Sequence, residues 1–463
     1  MYGTDTSAQY GAGGFGVDTR GITVKKPLKI NILIGVIALA TTAWTSAETL
    51  KEVVQLAIET NPQVGTIAKR KDAADAAVDA ARGAYFPKLD FLYGAGTERS
   101  QNSSTAATTP GFLRLHRHQE GMVLNQMLFD GLGTPAEVDR RRAISDAAAY
   151  RVYATAEEIA LQAIDAYIDV LKNKELVSFA KENLGAHQRT FDQVKLRSDK
   201  GVGRRADLEQ IEARNALASA NVSSAESSLR DAEIAFLKVV GRNPINLAAA
   251  PDPKNVPTTV DAAVKAGFAN HPTLKSSQSD IEQAQAQREL ARSFWFPRLE
   301  LEASYTNNRN LDGVVGPNRD RLLMLYLKWN LFRGGFDYHR LKETALQIDE
   351  ATEISRNTNR QVENAVRLAY NAYATARDRI PALDRYVKSS NATRAAYSQQ
   401  FAIGQRTLLD LLDAENEYFT ARSTDATGRY IQISAKYRVL NAMGQLLATL
   451  EVKAPEQATL RER

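Results

Sequence analysis

Phe296-Pro297-Arg298-Leu299-Glu300-Leu301-Glu302-Ala303-Ser304-Tyr305-Thr306 changes its period at the proline. Beyond Pro297, Leu299, Leu301, Ala303 and Tyr305 alternate with Glu300, Glu302, Ser304 and Thr306, the pattern of a strand with one apolar and one polar face. A second alternation sets Leu323, Leu325, Leu327, Trp329 and Leu331 against Met324, Tyr326, Lys328 and Asn330. The stretch between holds Asn307, Asn308, Gly313, Gly316 and Pro317, so it reads as the loop of a hairpin. The expected strands cover residues 297–307 and 321–332. Each is about ten residues long, enough to cross a bilayer when tilted.

The same hairpin occurs earlier in the chain. Thr49 to Phe91 aligns without gaps on Thr259 to Leu301 at an offset of 210, with Asn61-Pro62 on His271-Pro272 and Phe86-Pro87-Lys88-Leu89-Asp90 on Phe296-Pro297-Arg298-Leu299-Glu300. Leu128-Phe129-Asp130-Gly131 then falls on Leu331-Phe332-Arg333-Gly334 at an offset of 203. That offset holds for Tyr167 on Tyr370, Gly201 on Gly404, Asp207-Leu208 on Asp410-Leu411, Glu212 on Glu415 and Gly241 on Gly444. Two copies of one unit therefore make up nearly the whole chain. Copy one spans 48–243, with strands at about 87–97 and 120–130, and copy two spans 259–451. A Pro-rich linker, 244–258, joins them, and a polar tail covers 452–463.

After each hairpin the period becomes helical. Ile159, Ala163, Ala166, Val170, Val177 and Ala180, and in copy two Val362, Val366, Ala369, Tyr373, Ala376, Ile380 and Leu383, follow a 4,3 spacing that means helix packed on helix. Residues 136–198 contain no proline, and an uninterrupted helix there would be roughly 90 Å long.

The amino-terminal region points to export. Lys25, Lys26 and Lys29 precede an apolar run from Ile30 to Ala40, and Thr45-Ser46-Ala47 supplies small residues for cleavage, so 24–47 reads as a signal peptide. Residues 1–23 do not fit such a signal and are expected to be a leader or a mis-assigned start; their Gly11 to Gly16 stretch lacks the strand and helix of a phosphate loop. The 463 residues carry 59 basic and 54 acidic side chains, a net +5. Setting aside Arg20, Lys25, Lys26, Lys29, Asp5 and Asp18 leaves 55 against 52, spread along the chain, so no nucleic-acid surface is expected. Cysteine is absent, which excludes disulfides, thiolate metal sites and a lipidated amino-terminal cysteine.

Four amphipathic strands cannot sit in a membrane alone, because their outer edges would leave N–H and C=O groups unpaired in hydrocarbon. Several chains must close one barrel, apolar face to lipid and Glu300, Glu302, Lys328 and Asn330 to a wet lumen. Tyr85, Phe86, Phe294, Trp295, Phe296, Trp329 and Phe332 gather where strands meet helices and are expected to form an interfacial aromatic girdle, or else the core of a soluble α+β protein.

The duplicated order of helix, Phe-Pro, hairpin, Leu-Phe-x-Gly, long helix and Gly turn before Leu-Asp resembles the TolC-like outer-membrane factors over residues 48 to 450. The resemblance implies a mainly α chain with transmembrane β: a homotrimer with a 12-stranded outer-membrane barrel and a 12-helix periplasmic barrel. It also implies partners, a periplasmic adaptor and an inner-membrane transporter, ATP-driven in the type I secretion branch, with no cofactor and no enzymatic activity. The segment from Phe401 to Asp413 resembles the family's periplasmic entrance, in which Asp410 and Asp413 would form carboxylate rings and Arg406 and Asp207 a latch. Phe401 replaces the latch's usual Tyr. Taken without the resemblance, Arg406 and Asp410 are an ordinary solvated i,i+4 pair with Asp413 on the same wet face.

Other chemistry finds little footing. His116 and His118 could share a strand face and bind a metal, but they flank a Ser/Thr-rich loop and read as exposed polar residues. Arg140-Arg141-Arg142 reads as a solvated helix face. The expected function is an exit duct for type I protein secretion. Drug or metal efflux is the alternative within the family, and a soluble periplasmic coiled-coil or adaptor protein, lacking paired strands, the alternative outside it.

Overall fold

The computed structural model describes residues 47–106 and 111–461; the expected leader and signal peptide, up to residue 46, lie outside the described residues. No helix among the described residues is long and apolar enough to cross a membrane.

Each repeat begins with a short capped helix. Thr49 caps α1 (Leu50–Thr60) through a reciprocal box with Glu52, and Thr259 caps α6 (Val260–Asn270). Asn61 and His271 end these helices and cap the next, α2 (Pro62–Arg82) and α7 (Pro272–Ser293), each with proline in the first turn. Proline there removes an N–H that has no helical partner anyway, which is why the Asn-Pro and His-Pro pairs turn the chain without breaking it.

The strands β1 (Lys88–Ser100), β2 (Leu113–Phe129), β3 (Arg298–Leu311) and β4 (Val314–Lys328) form one antiparallel meander in chain order, and a short helix, α3 (Ser103–Ala106), lies between the first two. All four strands are longer than their alternation indicated. β2 begins at Leu113 rather than near 120, and β4 begins at Val314 and ends at Lys328, leaving Trp329 to Phe332 outside it. Backbone pairing continues past the apolar band, where the side chains turn polar and no longer alternate. Pro317 is tolerated because β4 lies at the sheet's edge.

The register puts Leu89, Leu124, Ala303 and Leu323 side by side on one face, flanked by Phe91 and Met122 and by Leu301 and Leu325. The other face carries Lys88, Asn125 and Glu302 in one row, with Lys328 Nζ 2.7 Å from Glu300.

Behind each hairpin a helix of 67 residues runs back: α4 (Gly133–Asp199) and α8 (Phe336–Ala402). Gly201 and Gly404 turn the chain with φ of 75° and 77°, a conformation that suits glycine, into α5 (Arg205–Val240) and α9 (Leu408–Ala442). α4 packs on α5 and α9, and α9 on α8. The short α10 (Leu446–Leu450) follows Gly444.

The main core joins both repeats: Leu50, Ile164, Tyr167, Phe236, Val366, Tyr437 and Leu440 are buried together. The linker is tied onto it. Tyr167 donates its hydroxyl proton to Ala248 O at 2.6 Å, Tyr437 to Pro251 O at 2.8 Å and Tyr370 to Thr258 O at 2.6 Å. Thus the repeat-related pair Tyr167 and Tyr370 anchors the two ends of one strap.

Candidate functional site

The far ends of the long helices hold the residues expected at an entrance. Thr407 caps α9: its hydroxyl accepts from Asp410 N at 3.2 Å, and its own N–H donates to Asp410 Oδ2 at 3.2 Å. The Thr407 hydroxyl also donates to Asp410 Oδ2 at 2.8 Å, and this bond, together with the one from Thr407 N, holds the Asp410 carboxyl below its ordinary range, with Arg406 Nη1 4.0 Å away adding a smaller effect. Arg406 also donates to Gln400 Oε1 at 2.9 Å and stacks 4.3 Å from the Tyr397 ring. Asp410 is therefore fixed in position and ionised.

Asp413 is not the bare carboxylate that its spacing suggested. Arg214 Nη2, from α5 in the first repeat, lies 3.1 Å from Asp413 Oδ1. Sequence reasoning missed Arg214 because it stands 199 residues from its partner. The only hint was the repeat itself, which places Arg214 opposite Glu417 and so breaks the internal symmetry.

Nor does one chain bring Arg406 to Asp207. Asp207 sits in the first turn of α5, and among the described residues its side chain has no ion pair. Phe401 is 8% exposed and packs with Val194, Ile211, Leu408, Leu411 and Leu412, with Arg197 stacked 5.3 Å from its ring. Without a hydroxyl, this side chain contributes apolar burial to the cluster and no hydrogen bond.

Just inside the tip, Glu415 is half-buried between repeats. Arg394 Nη1 lies 3.8 Å from it, and burial raises its pKa against the opposing pull of Arg394 and Arg189. Further along, α9 meets α4 through Arg422 with Glu182, Arg429 with Glu175 at 3.7 Å and Arg438 with Asp165 at 3.1 Å. The seam thus reverses polarity: α9 supplies acids near the tip and bases above.

At the opposite end, Tyr85, Phe86, Trp295, Phe296, Trp329 and Phe332 are exposed where strands meet helices. Trp329 Nε1 donates to Trp295 O at 3.2 Å, linking two of them. Phe294 departs from the expected set: it is half-buried beneath the guanidinium groups of Arg333 and Arg298, at 5.1 and 5.6 Å.

The other candidates resolve plainly. Arg140 and Arg141 pair with Glu137 and Arg142 with Asp139, which leaves no basic patch. His118 stacks on Tyr93 and lies 3.9 Å from Glu120. No group of three metal-ligating side chains occurs among the described residues.

Known proteins match this architecture along its length. The chain is 24% identical to the outer membrane efflux protein BepC of Brucella suis, covering 87% of this chain and 86% of BepC. It is 26% identical to the outer membrane protein TolC of Vibrio cholerae, over 91% and 95%. The alkaline protease secretion protein AprF of Pseudomonas aeruginosa is 25% identical, over 83% and 82%. Among solved structures, the Campylobacter jejuni CmeC outer membrane channel superposes with a TM-score of 0.74 at 17% identity, over 86% of each chain. The family model for outer membrane efflux proteins matches twice, at residues 53–242 and 265–445, once per repeat. With both repeats matched by that model, the chain belongs to the outer membrane efflux protein family, whose members are passive channels and not enzymes.

Proposed function

We propose that three copies of this chain form one exit duct, in which four strands from each chain close a 12-stranded barrel in the outer membrane and four long helices from each continue it as a tunnel in the periplasm. One observation carries this reading. The four-stranded sheet leaves an edge unpaired on both β1 and β4, and its apolar face is bare, with Leu89 60%, Phe91 67% and Leu323 71% exposed. Hydrocarbon tolerates such a face but not such edges, so β1 of one copy meets β4 of the next.

The duct serves type I protein secretion, joined at its helical tips by a periplasmic adaptor and an ATP-driven inner-membrane transporter. AprF, named for alkaline protease secretion, and the proteases secretion protein PrtF of Dickeya chrysanthemi support this branch. BepC, named for efflux, keeps small-molecule export as the second reading. The paired strands argue against the strand-less periplasmic coiled coil.

Because the chain has no cysteine, single cysteines placed on β1 and on β4 report on the edges directly. Oxidised outer membranes should yield a disulfide-linked trimer, and a membrane-bound species that never advances past monomer sinks the closure. Deleting the protein in its host should stop a secreted protein from reaching the medium; unchanged secretion with heightened drug sensitivity would assign it to efflux.

A further inference from the structure

The antiparallel register sorts the strand residues onto two faces, and the face that carries Leu89, Leu124, Ala303 and Leu323 changes character along its length. Toward the helices it holds Leu299, Leu301, Leu325 and Leu327 and no charge. Its last apolar row is Phe91, Met122 and Tyr305, and to that row β4 already contributes Arg321. Beyond it the same face carries Arg319 opposite Asn307, Arg309 opposite His118, and Arg99 opposite Arg114. All five arginines are exposed. Glu120 is the one acid that the strands place on this face, and it is engaged by Asn307 and lies 3.9 Å from His118.

The opposite face treats charge differently. Arg117, at the level of this set, lies 2.9 Å from Glu98 and 3.0 Å from Asp312 and is neutralised there. None of the five outward arginines has an ion pair among the described residues. Neutral neighbours steady them instead: Arg319 Nε donates to Asn307 Oδ1 at 3.0 Å, Arg321 lies 5.7 Å from the centre of the Tyr305 ring, and Arg99 lies 5.3 Å from that of Phe112. Their charge is positioned without being cancelled. Arginine is costly in the middle of a bilayer and tolerated at its interface, so the set also marks where hydrocarbon ends.

We propose that this belt binds the phosphate groups of lipopolysaccharide, the glycolipid of the leaflet farther from the helices. The depth of the belt selects the ligand. From the row of Arg321, which includes Phe91, to Arg99 the strand advances eight residues, about 27 Å. At a barrel tilt near 40° that is about 20 Å of height. A phospholipid presents its phosphate in one thin layer and would leave most of these arginines unused. A glycolipid with several anionic groups along its headgroup meets them at successive heights, each guanidinium offering a fork of donors to a phosphate. The assignment rests on the lipid-facing reading of the apolar face and not on the number of copies that close the barrel.

Two measurements on the full-length protein test it. Native protein extracted from outer membranes in mild detergent should retain lipopolysaccharide through gel filtration. Changing Arg99, Arg114, Arg309, Arg319 and Arg321 together to glutamine should lower the retained amount about tenfold, and Arg117→Gln, on the inner face, should leave it unchanged. Undiminished retention in the fivefold variant, or an equal loss in Arg117→Gln, overturns the belt. The second measurement needs no variant: native protein stripped of lipid is titrated in detergent with lipopolysaccharide, dephosphorylated lipopolysaccharide, phosphatidylglycerol or inorganic phosphate. Only the first should raise the melting temperature by several degrees. An equal rise with the dephosphorylated glycolipid or with phosphatidylglycerol overturns the phosphate-bearing glycolipid as ligand, and an equal rise with inorganic phosphate overturns a lipid source. A trimer that binds no lipopolysaccharide removes the belt alone, whereas a membrane-bound monomer that binds it through these arginines removes the closure and leaves the belt standing.

Discussion

Arg214 and Asp413 meet at 3.1 Å across the seam between the first and second repeats, so the second of the two acidic positions in the tip segment is already neutralised. If three tips surround one aqueous mouth, Asp410 carries the ring charge and Asp413 contributes little. Asp410→Asn should lower cation over anion selectivity more than Asp413→Asn, and Arg214→Ala should raise it by freeing Asp413. Reversal potentials under a salt gradient measure this. Equal effects of the two asparagine variants would remove the neutralisation argument, and no effect of either would remove the ring.

Asp410 also completes the cap of α9, which makes Asp410→Ala a compound change. Thr407→Ala removes the side-chain acceptor for Asp410 N and should destabilise the first turn of α9 by about 1 kcal/mol. The Asp410 carboxyl should then titrate closer to its ordinary range, because the Thr407 bonds are the main cause of its lowering. In the native protein its charge persists as pH falls into the ordinary carboxylate range, so selectivity in Thr407→Ala should be lost at a higher pH than in the native channel. Coincident selectivity profiles would contradict it.

Much of this architecture was legible because the repeat doubles every signal. Thr49 and Thr259, Asn61-Pro62 and His271-Pro272, and Gly201 and Gly404 each perform the same task twice, and local rules are sufficient to read caps and turns. Strand ends were less visible, because His116 to Gln119 are all polar and carry no apolar alternation, although they pair with β1. Contacts between repeats were hidden altogether. Arg214 with Asp413 and Glu182 with Arg422 are chosen by how α9 lies against α5 and α4, which no local window encodes. Asp207 and Arg406, linked by the resemblance, are not joined within one chain.

Glu157 shows a buried carboxylate used as a cap. Its oxygens accept from Leu446 N at 3.1 Å and Leu447 N at 3.0 Å, yet burial dominates and raises its pKa to about 7 from 4.5. The folded chain therefore keeps a proton that the unfolded chain releases, so this stabilisation is complete below pH 4.5 and is lost as pH rises through 7. The full span corresponds to about 3 kcal/mol. Glu157→Gln cannot ionise and should flatten the melting temperature across this window, while costing about 1–3 kcal/mol because its amide faces one of the two N–H donors. Identical pH slopes in native and variant protein would show that Glu157 is not the group responsible.

The sheet supplies the sharpest contrast, because Leu325 and Glu302 lie one register row apart on adjacent strands and point to opposite faces. Leu325 is 57% exposed on the apolar face, where only lipid can cover it. An arginine there must be carried into hydrocarbon at about 2–4 kcal/mol per chain, and three chains multiply that burden in one barrel. Arginine at Glu302 faces the lumen beside Asn125 and stays hydrated, so its cost is small. Leu325→Arg should accordingly deplete folded, heat-modifiable trimer from the outer membrane, whereas Glu302→Arg should assemble normally and shift only ion selectivity. The reverse outcome would mean that the two faces have been exchanged, and since a strand's faces alternate residue by residue, no partial version of the barrel could survive it.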